Sequence, residues 1–381
     1  MKTKSIIKIA ALLNLLTAAS AWAASQVPDY TIHQEYVSTR ALGMGNAFIA
    51  VADDFSSMFY NPAALALRED SHLRLFLRGG LDGDILKLNK DIKDAGADQT
   101  ALQNAIEKHY GEHMYFRAPT IGGVLVRPNW GFAVLPVDLS VDLALHQSLM
   151  PSIFVNAYLD TTIAYSHATT WHVPWLKNRL AFGWTAKMIN RAFYSDVLQS
   201  AQLAQDQDIV NIDRANEGAT LDGDIGFIYN PKRSEKKWYQ PGVGVVVKNV
   251  FDYGFPKNFG LFNKKGEEPP KLQRRLDIGT KFDLPAFWIF DPKIAIDEKD
   301  MFHRNWTFLK GLHIGAEMGW KVANWWKGHW SVGLNQGYMS AGFGGKLGIF
   351  QLDLATWGEE VGPSEAKHES RRYIAEMSLD F

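Results

Sequence analysis

The sequence predicts an all-β protein: a transmembrane antiparallel β-barrel of about 14 strands (12–14), with an N-terminal segment inside it as a luminal hatch. Three observations predict this fold. The chain begins with a secretory leader, continues as run after run of alternating apolar and polar residues, and ends on the aromatic residue Phe381. The runs are about ten residues long, which is the length that a tilted strand needs to cross a bilayer, whereas soluble strands average about five or six.

Residues 1–23 have the pattern of a signal peptide. Lys2 and Lys4 give a positive start, an apolar stretch runs from Ile9 to Ala19, and Ala21-Trp22-Ala23 is a small-x-small cleavage site. The apolar stretch is too short to anchor the chain in a bilayer of about 30 Å. We therefore expect cleavage after Ala23, which leaves 358 of the 381 residues. The expected location is the outer membrane of a Gram-negative cell.

Composition excludes several classes of protein. The leader contains three of the 40 basic residues and no acidic one, so 37 basic residues stand against 41 acidic ones, a net charge of −4. A nucleic-acid-binding protein would normally carry a basic excess. The absence of cysteine excludes disulfides, thiolate metal sites and cysteine nucleophiles. We expect no metal, no cofactor and no nucleic-acid partner.

Period-two alternation places the barrel at residues 71–381. Along the last run, apolar Tyr373, Ala375 and Met377 alternate with polar residues such as Glu376 and Ser378. The runs, of which 289–297 is the weakest, are 73–77, 114–126, 131–141, 153–167, 180–188, 219–229, 241–250, 276–282, 289–297, 312–320, 329–335, 338–346, 348–357 and 373–381. A soluble β-sandwich also alternates in this way. The strand length, the leader and the 13% aromatic content favour the barrel.

The alternation also assigns the two faces of the wall. We expect the apolar face to meet lipid and the charged face to meet the lumen, where charges need no partner in a dry core. Arginine at Leu312 or Met318, on the apolar face, should then be costly. Arginine at Glu317, on the luminal face, should be mild.

Two polar stretches interrupt the strands. Residues 85–109 and 197–215 are rich in Ala, Gln, Asp and Lys and read as helices or long loops that project from one rim. The pentapeptide Leu-Asp-Gly-Asp-Ile occurs at 81–85 and again at 221–225. It lacks the further oxygen ligands of a calcium loop, so we interpret the repeat as coincidence.

Residues 24–70 precede the first strand and contain the run "RALGMGNAFIAVADDFSSMFYNPAALA". Its glycines lack the spacing of a nucleotide loop, and Pro62 cannot donate to a strand ladder. A barrel of about 14 strands is too wide for its own side chains to fill, so this segment is predicted to plug the lumen. Its small residues would allow close packing. Asp53, Asp54 and Asn61 would bond to inward arginines such as Arg74 or Arg78, and Pro62 would fix the turn into the wall.

This run resembles the N-terminal signature of the FadL-like outer-membrane proteins, which include the FadL/TodX transporters of long-chain fatty acids and aromatic hydrocarbons and their PorV-like relatives. The match lies in the acidic pair Asp53-Asp54 and in Asn61-Pro62-Ala63. The resemblance implies a 14-stranded barrel in which these five residues belong to a gating hatch. It also implies a barrel-assembly signal at the C-terminus, carried by Tyr373, Met377, Leu379 and Phe381.

The resemblance implies passive transport of small hydrophobic molecules such as long-chain fatty acids, and outer-membrane lipids and the barrel-assembly machinery as partners. The polar stretch 31–40 departs from the apolar start of the fatty-acid transporters and points to PorV-like members. The alternative is therefore a non-transport barrel that binds another envelope protein or serves a structural role.

A third hypothesis is a lipid hydrolase. His146 and Ser148 are two residues apart, hence on one face of a strand, as a base and a nucleophile could be. With 11 histidines in the chain such a pair is expected by chance, and no G-x-S-x-G or H-E-x-x-H motif accompanies it. We therefore expect no catalytic residue and no enzyme activity.

Overall fold

The computed structural model describes residues 30–146, 152–171, 180–199, 209–210, 212–230, 241–264, 266–363 and 366–381. Fourteen antiparallel strands close into one barrel, with each strand beside its neighbours in the chain and β14 beside β1. They are β1 (His72–Asp82), β2 (His113–Arg127), β3 (Trp130–His146), β4 (Ser152–Trp171), β5 (Leu180–Gln199), β6 (Asn216–Tyr229), β7 (Gly242–Lys248), β8 (Arg275–Asp283), β9 (Phe290–Met301), β10 (Leu312–Ala323), β11 (Trp326–Asn335), β12 (Tyr338–Leu347), β13 (Phe350–Glu360) and β14 (Glu369–Asp380). The predicted 14-stranded barrel is confirmed, while the signal peptide lies outside the described residues.

The helices are short. Within the N-terminal segment are α1 (Thr39–Gly43), α2 (Ser57–Tyr60) and a 3₁₀ helix at Pro62–Leu67. Residues 85–109 contain α3 (Ile85–Ala95) and α4 (Gln99–Glu107), while α5 (Phe308–Gly311) precedes β10. In the described part of the chain, no helix combines the length and apolar character that crossing a membrane requires.

The two rims of the barrel differ. Short connections such as 128–129, 324–325 and 348–349 lie at one rim, which we call the turn rim; the long connections 83–112, 249–274 and 302–311 lie at the other, the loop rim. Phe381 is at the turn rim, where its backbone exchanges two hydrogen bonds with Leu73, of 2.9 and 3.0 Å. The last residue thus extends the β1–β14 seam that closes the barrel.

The faces of the wall are arranged as the alternation predicts. On β1, Leu73, Leu75 and Leu77 are exposed on the outer face, while Arg74 and Arg78 between and beyond them are buried in the lumen. This outward apolar surface is suited to contact with acyl chains.

The expectation that luminal charges need no partner is wrong. Inward charges form buried ion pairs between neighbouring strands, such as Lys187 with Asp224 at 2.8 Å and Arg191 with Asp160 at 2.7 Å. The N-terminal segment fills the lumen and leaves little room for water there, so an unpaired charge would be costly. The barrel interior is thus a packed protein core, in which these ion pairs lie beside apolar side chains of the hatch and of the wall.

Strands β2–β5 have 15 to 20 residues, more than the ten or so that the pattern predicts. Their added length lies towards the loop rim, where the outward faces are apolar: Val141 of β3 is directly paired with the outward Phe116 of β2. There Leu88 and Ile92 of α3 and Leu102 and Ile106 of α4 are buried in one cluster with strand residues such as Val141. The helical pair therefore packs onto the outer face of the extended strands.

The other predicted insertion is mostly outside the described residues. Of 197–215, the first three residues belong to β5, and residues Ile212–Arg214 form a 3₁₀ turn. The two copies of Leu-Asp-Gly-Asp-Ile have different structures. The first ends β1 and enters α3, whereas the second lies within β6, so the structure gives the repeat no common role.

We expect Met318→Arg to destabilise the barrel by about 2–4 kcal/mol if its site lies near the bilayer midplane, because it places a cation on the lipid face. Met318 is on the outward row of β10, beside the buried and inward Glu317. Urea unfolding in lipid vesicles measures the change. Val322→Arg at the end of the same strand is the control, since it is half exposed near the turn rim and should cost less than 1 kcal/mol. Equal costs at the two positions would contradict the assigned membrane depth.

Candidate functional site

The N-terminal segment runs through the lumen from the loop rim to the turn rim. At the loop rim, Lys310 Nζ donates to the Tyr30 carbonyl at 2.7 Å, and Asn305 donates to the Thr31 carbonyl at 2.9 Å. At the turn rim, Lys293 Nζ donates to Asp53 at 2.8 Å. We call residues 30–70 the hatch, because they occupy the lumen along this whole path.

The wall has glycines where the hatch backbone touches it. A Cβ added to Gly315 of β10 would overlap the Met44 carbonyl, and one added to Gly333 of β11 would lie 2.6 Å from Gly45 N. Three strands away from β10, a Cβ at Gly244 of β7 would lie 2.7 Å from the Ile49 carbonyl oxygen. The close fit therefore needs small residues both in the hatch and in the wall. The sequence pattern indicated only those of the hatch.

Asn61-Pro62-Ala63 lies against another such surface. Asn61 Nδ2 donates to the Ile49 carbonyl within the hatch and to the Phe227 carbonyl of β6, both at 3.2 Å. Its Oδ1 accepts from Ala63 N and caps the 3₁₀ helix, in which Pro62 is the first residue. Pro62 therefore starts a helix inside the lumen, well before β1, so its predicted place at the turn into the wall is wrong.

The acidic pair has different partners from those predicted. Arg40, also in the hatch, donates from Nη1 to Asp53 at 2.7 Å and to Asp54 at 3.1 Å. The same guanidinium holds the wall residue Glu317 through Nε and Nη2, both at 2.7 Å, and Lys293 completes the network with Asp53. Arg40 is thus the link between the acidic pair and the wall.

Arg74 and Arg78 do not bond to the acidic pair or to Asn61. Arg74 makes two 2.6 Å hydrogen bonds to Asp380 of β14, and its guanidinium lies 4.0 Å from the centre of the Phe55 ring. Arg78 donates to the Val37 carbonyl and to Asp138. Both arginines contact the hatch, but through an aromatic ring and a backbone carbonyl.

A second cluster fixes the glycine-rich bend of the hatch, and sequence reasoning missed it. Asp297 Oδ2 accepts from Phe48 N at 2.6 Å and from Ile49 N at 2.8 Å. His313 Nδ1 bonds to the Gly45 carbonyl at 2.8 Å. The sequence does show polar residues at the inward positions of β9 and β10. It does not show which groups they bind, because that depends on where the bend of the hatch lies.

Near the loop rim, Glu35 of the hatch pairs with Arg275 of β8. Burial opposes ionisation of this carboxyl, but the Arg275 guanidinium, with a smaller contribution from Lys187, outweighs it and holds the pKa of Glu35 well below its ordinary value. The hatch is therefore tied to the wall by charge at both ends and by close backbone packing in the middle.

One stretch of the wall is not closed by backbone hydrogen bonds. Residues 113–117 of β2 pair with 140–144 of β3, and 123–127 pair with 130–134, but 118–122 and 135–139 do not pair with each other. Pro119 and Pro136 lie one on each edge and have no N–H to donate. We call this interruption the wall gap.

Apolar side chains close the wall gap from within. The Phe76 ring and Leu135 occupy the space over Gly122, where a Cβ would collide with both. Phe55 of the hatch lies behind them, with its ring centre 6.5 Å from that of Phe76. At the gap, only side chains therefore separate the lipid face of the wall from the hatch.

On the lipid face, a groove of about 720 Å³ adjoins the gap at Pro119. Small residues of β1, β12 and β14 form its floor, including Gly79, Gly342 and Ala375, and aromatic residues such as Phe343 flank it. The surface around the gap is therefore apolar and concave.

The predicted assembly residues lie on one face of β14. Tyr373, Met377 and Phe381 are exposed and Leu379 is half-buried, all on the outward side. Their role in assembly stays a prediction. The proposed hydrolase pair cannot be placed, since Ser148 and the side chain of His146 lie outside the described residues.

Comparison with known proteins supports the fold. No family model matches the sequence, and no curated protein matches it. Among solved structures, the toluene transporter TbuX of Ralstonia pickettii has a TM-score of 0.52 at 11% identity, covering 92% of this chain and 99% of its own. The CymD monoaromatic hydrocarbon channel has a TM-score of 0.51 at 10% identity, covering 92% and 98%.

The closed barrel and its luminal hatch define a plugged transmembrane β-barrel. More particularly, the chain has the same fold as the toluene transporter TbuX and the CymD channel, so the fold implied by the resemblance of the hatch sequence is confirmed.

Proposed function

We propose that this protein is a passive channel for small hydrophobic molecules in the outer membrane of a Gram-negative cell, with the turn rim in the periplasm. The observation that carries the proposal is the wall gap, where 118–122 and 135–139 do not pair with each other and only side chains close the space between them. The solved structures of like fold are described as transporting toluene or conducting monoaromatic hydrocarbons, which supports the same class of solute.

The proposed route connects the lumen to the membrane interior through this gap. An apolar molecule gains by leaving water at each step, so no chemical energy is needed. Passage requires Phe76 and Leu135 to move aside, a side-chain rearrangement that breaks no backbone hydrogen bond between β2 and β3. Asp138, at the edge of the gap, is held in place by ion pairs with Arg117 and Arg78.

The test closes the gap chemically, using the fact that the chain has no cysteine. In an Ile121→Cys/Val137→Cys variant, both thiols flank the gap on the exposed face, where a flexible bis-maleimide can join them. We expect the cross-link to reduce uptake of radiolabelled toluene by at least tenfold, to the level of a strain that lacks the protein.

The matched control is Leu125→Cys/Phe132→Cys, a pair that is directly opposed in the closed part of the same two strands. Cross-linking it should leave uptake unchanged. Unaltered uptake after verified cross-linking of 121 to 137 would exclude this route, and parental uptake of toluene and fatty acids in the deletion strain would exclude transport altogether.

A further inference from the structure

Three lysines lie side by side across three strands at the turn rim. Lys321 of β10 is directly opposite Lys327 of β11, which is directly opposite Lys346 of β12. Directly opposed residues have Cβ atoms about 4.5–5.5 Å apart, and like charges in that arrangement repel. We call Lys321, Lys327 and Lys346 the lysine row.

The row lacks enough negative charge to balance it. Lys346 has one carboxylate contact, to Asp380 at 3.6 Å, and Asp380 is already bound by Arg74 at 2.6 Å. In the part of the chain that the structure describes, neither Lys321 nor Lys327 forms an ion pair, and Lys321 is exposed. Two of the three ammonium groups are therefore free to take a ligand.

The row lines a cavity of about 390 Å³ at the turn-rim end of the hatch. Most carboxylates of this cavity are committed to other cations: Asp53 and Glu317 to Arg40 and Lys293, and Asp70 to Arg68. Asp291 also lines the cavity and has an interaction partner of its own. The lysine row is thus the part of the cavity with uncompensated charge.

We propose that the lysine row binds a phosphate group. A dianionic oxyanion neutralises the two unpaired ammonium groups and relieves the repulsion along the row, and lysines bind phosphate as compact point charges. The phosphate could belong to a free ion or to a lipid phosphomonoester, and the cavity is large enough for either. This site is independent of the wall gap and of the transported molecule.

The experiment titrates inorganic phosphate into the full-length barrel in maltoside micelles at low ionic strength, with binding measured by calorimetry and ³¹P NMR. A parallel arm adds phosphatidic acid to the micelles. We expect Lys327→Gln to weaken binding at least tenfold in the responding arm. The control Lys90→Gln, an exposed lysine on α3 at the loop rim, should not change it.

Thermal unfolding separates a binding role from a structural one. Without phosphate, Lys327→Gln should be at least as stable as the parent, because it removes like-charge repulsion. With phosphate, only the parent should gain in Tm. Binding of inorganic phosphate identifies a free-ion site, and a response to phosphatidic acid alone identifies a headgroup site. Absence of binding in both arms, or equal binding by parent and Lys327→Gln, would overturn the proposal.

Discussion

A single methyl-bearing side chain at a wall glycine should displace the hatch and open the barrel to ions. Gly315→Val places its Cβ on the Met44 carbonyl, and Gly244→Val places its Cβ 2.7 Å from the Ile49 carbonyl oxygen. Neither neighbour is a flexible side-chain tip that could move away; both are hatch backbone. Because strand ladders hold β7 and β10 on both sides of these glycines and no ladder holds the hatch, we expect the hatch to yield.

The measurement is single-channel conductance in planar bilayers. The parent should be nearly silent, while either variant should show at least a tenfold increase in open events. Gly345→Val is the control, since its added Cβ meets only the Phe343 ring, at 3.6 Å. Heat-modifiability on a gel verifies that each barrel is assembled. Assembled variants with parental conductance would show that the hatch does not seal by this contact.

Glu317→Arg should be among the most damaging charge changes in the barrel, which reverses the expectation drawn from alternation alone. The substitution removes both 2.7 Å hydrogen bonds from Arg40 and places a third cation beside Arg40 and Lys293. Glu317 is buried in the lumen, where disrupting an ion pair costs about 3–5 kcal/mol. The residue that alternation labels as water-facing is therefore part of a protein core.

Hydrogen exchange of hatch amides and urea unfolding measure this effect. We expect exchange of residues 40–54 to accelerate at least a hundredfold, as Arg40 and the acidic pair lose their link to β10. Glu69→Arg is the control, being an exposed acidic residue near the turn rim. Its cost should stay within about 0.5 kcal/mol. Similar exchange in both variants would mean that the Arg40 network does not hold the hatch.

The sequence by itself determined the wall. Period two sets which residues of a strand share a face, so Leu73, Leu75 and Leu77 could be assigned to lipid before any pairing was known. The strand count follows from counting the runs, and the high content of small residues in the run 40–66 shows that it must pack closely against something. These features are local in the chain, which is why they could be predicted.

Only the tertiary structure decided what holds the hatch. Arg40 meets Glu317 across 277 residues, and Asp297 meets Phe48 across 249, separations at which no local pattern carries information. Arg74 and Arg78 were plausible partners for the acidic pair, but strand register gives Asp380 and Asp138 to them instead. The wall gap depends likewise on which residues of β2 and β3 face each other. Period two fixes a side chain's face but not its partner, because the partner is set by closure of the barrel and by the path of the hatch inside it.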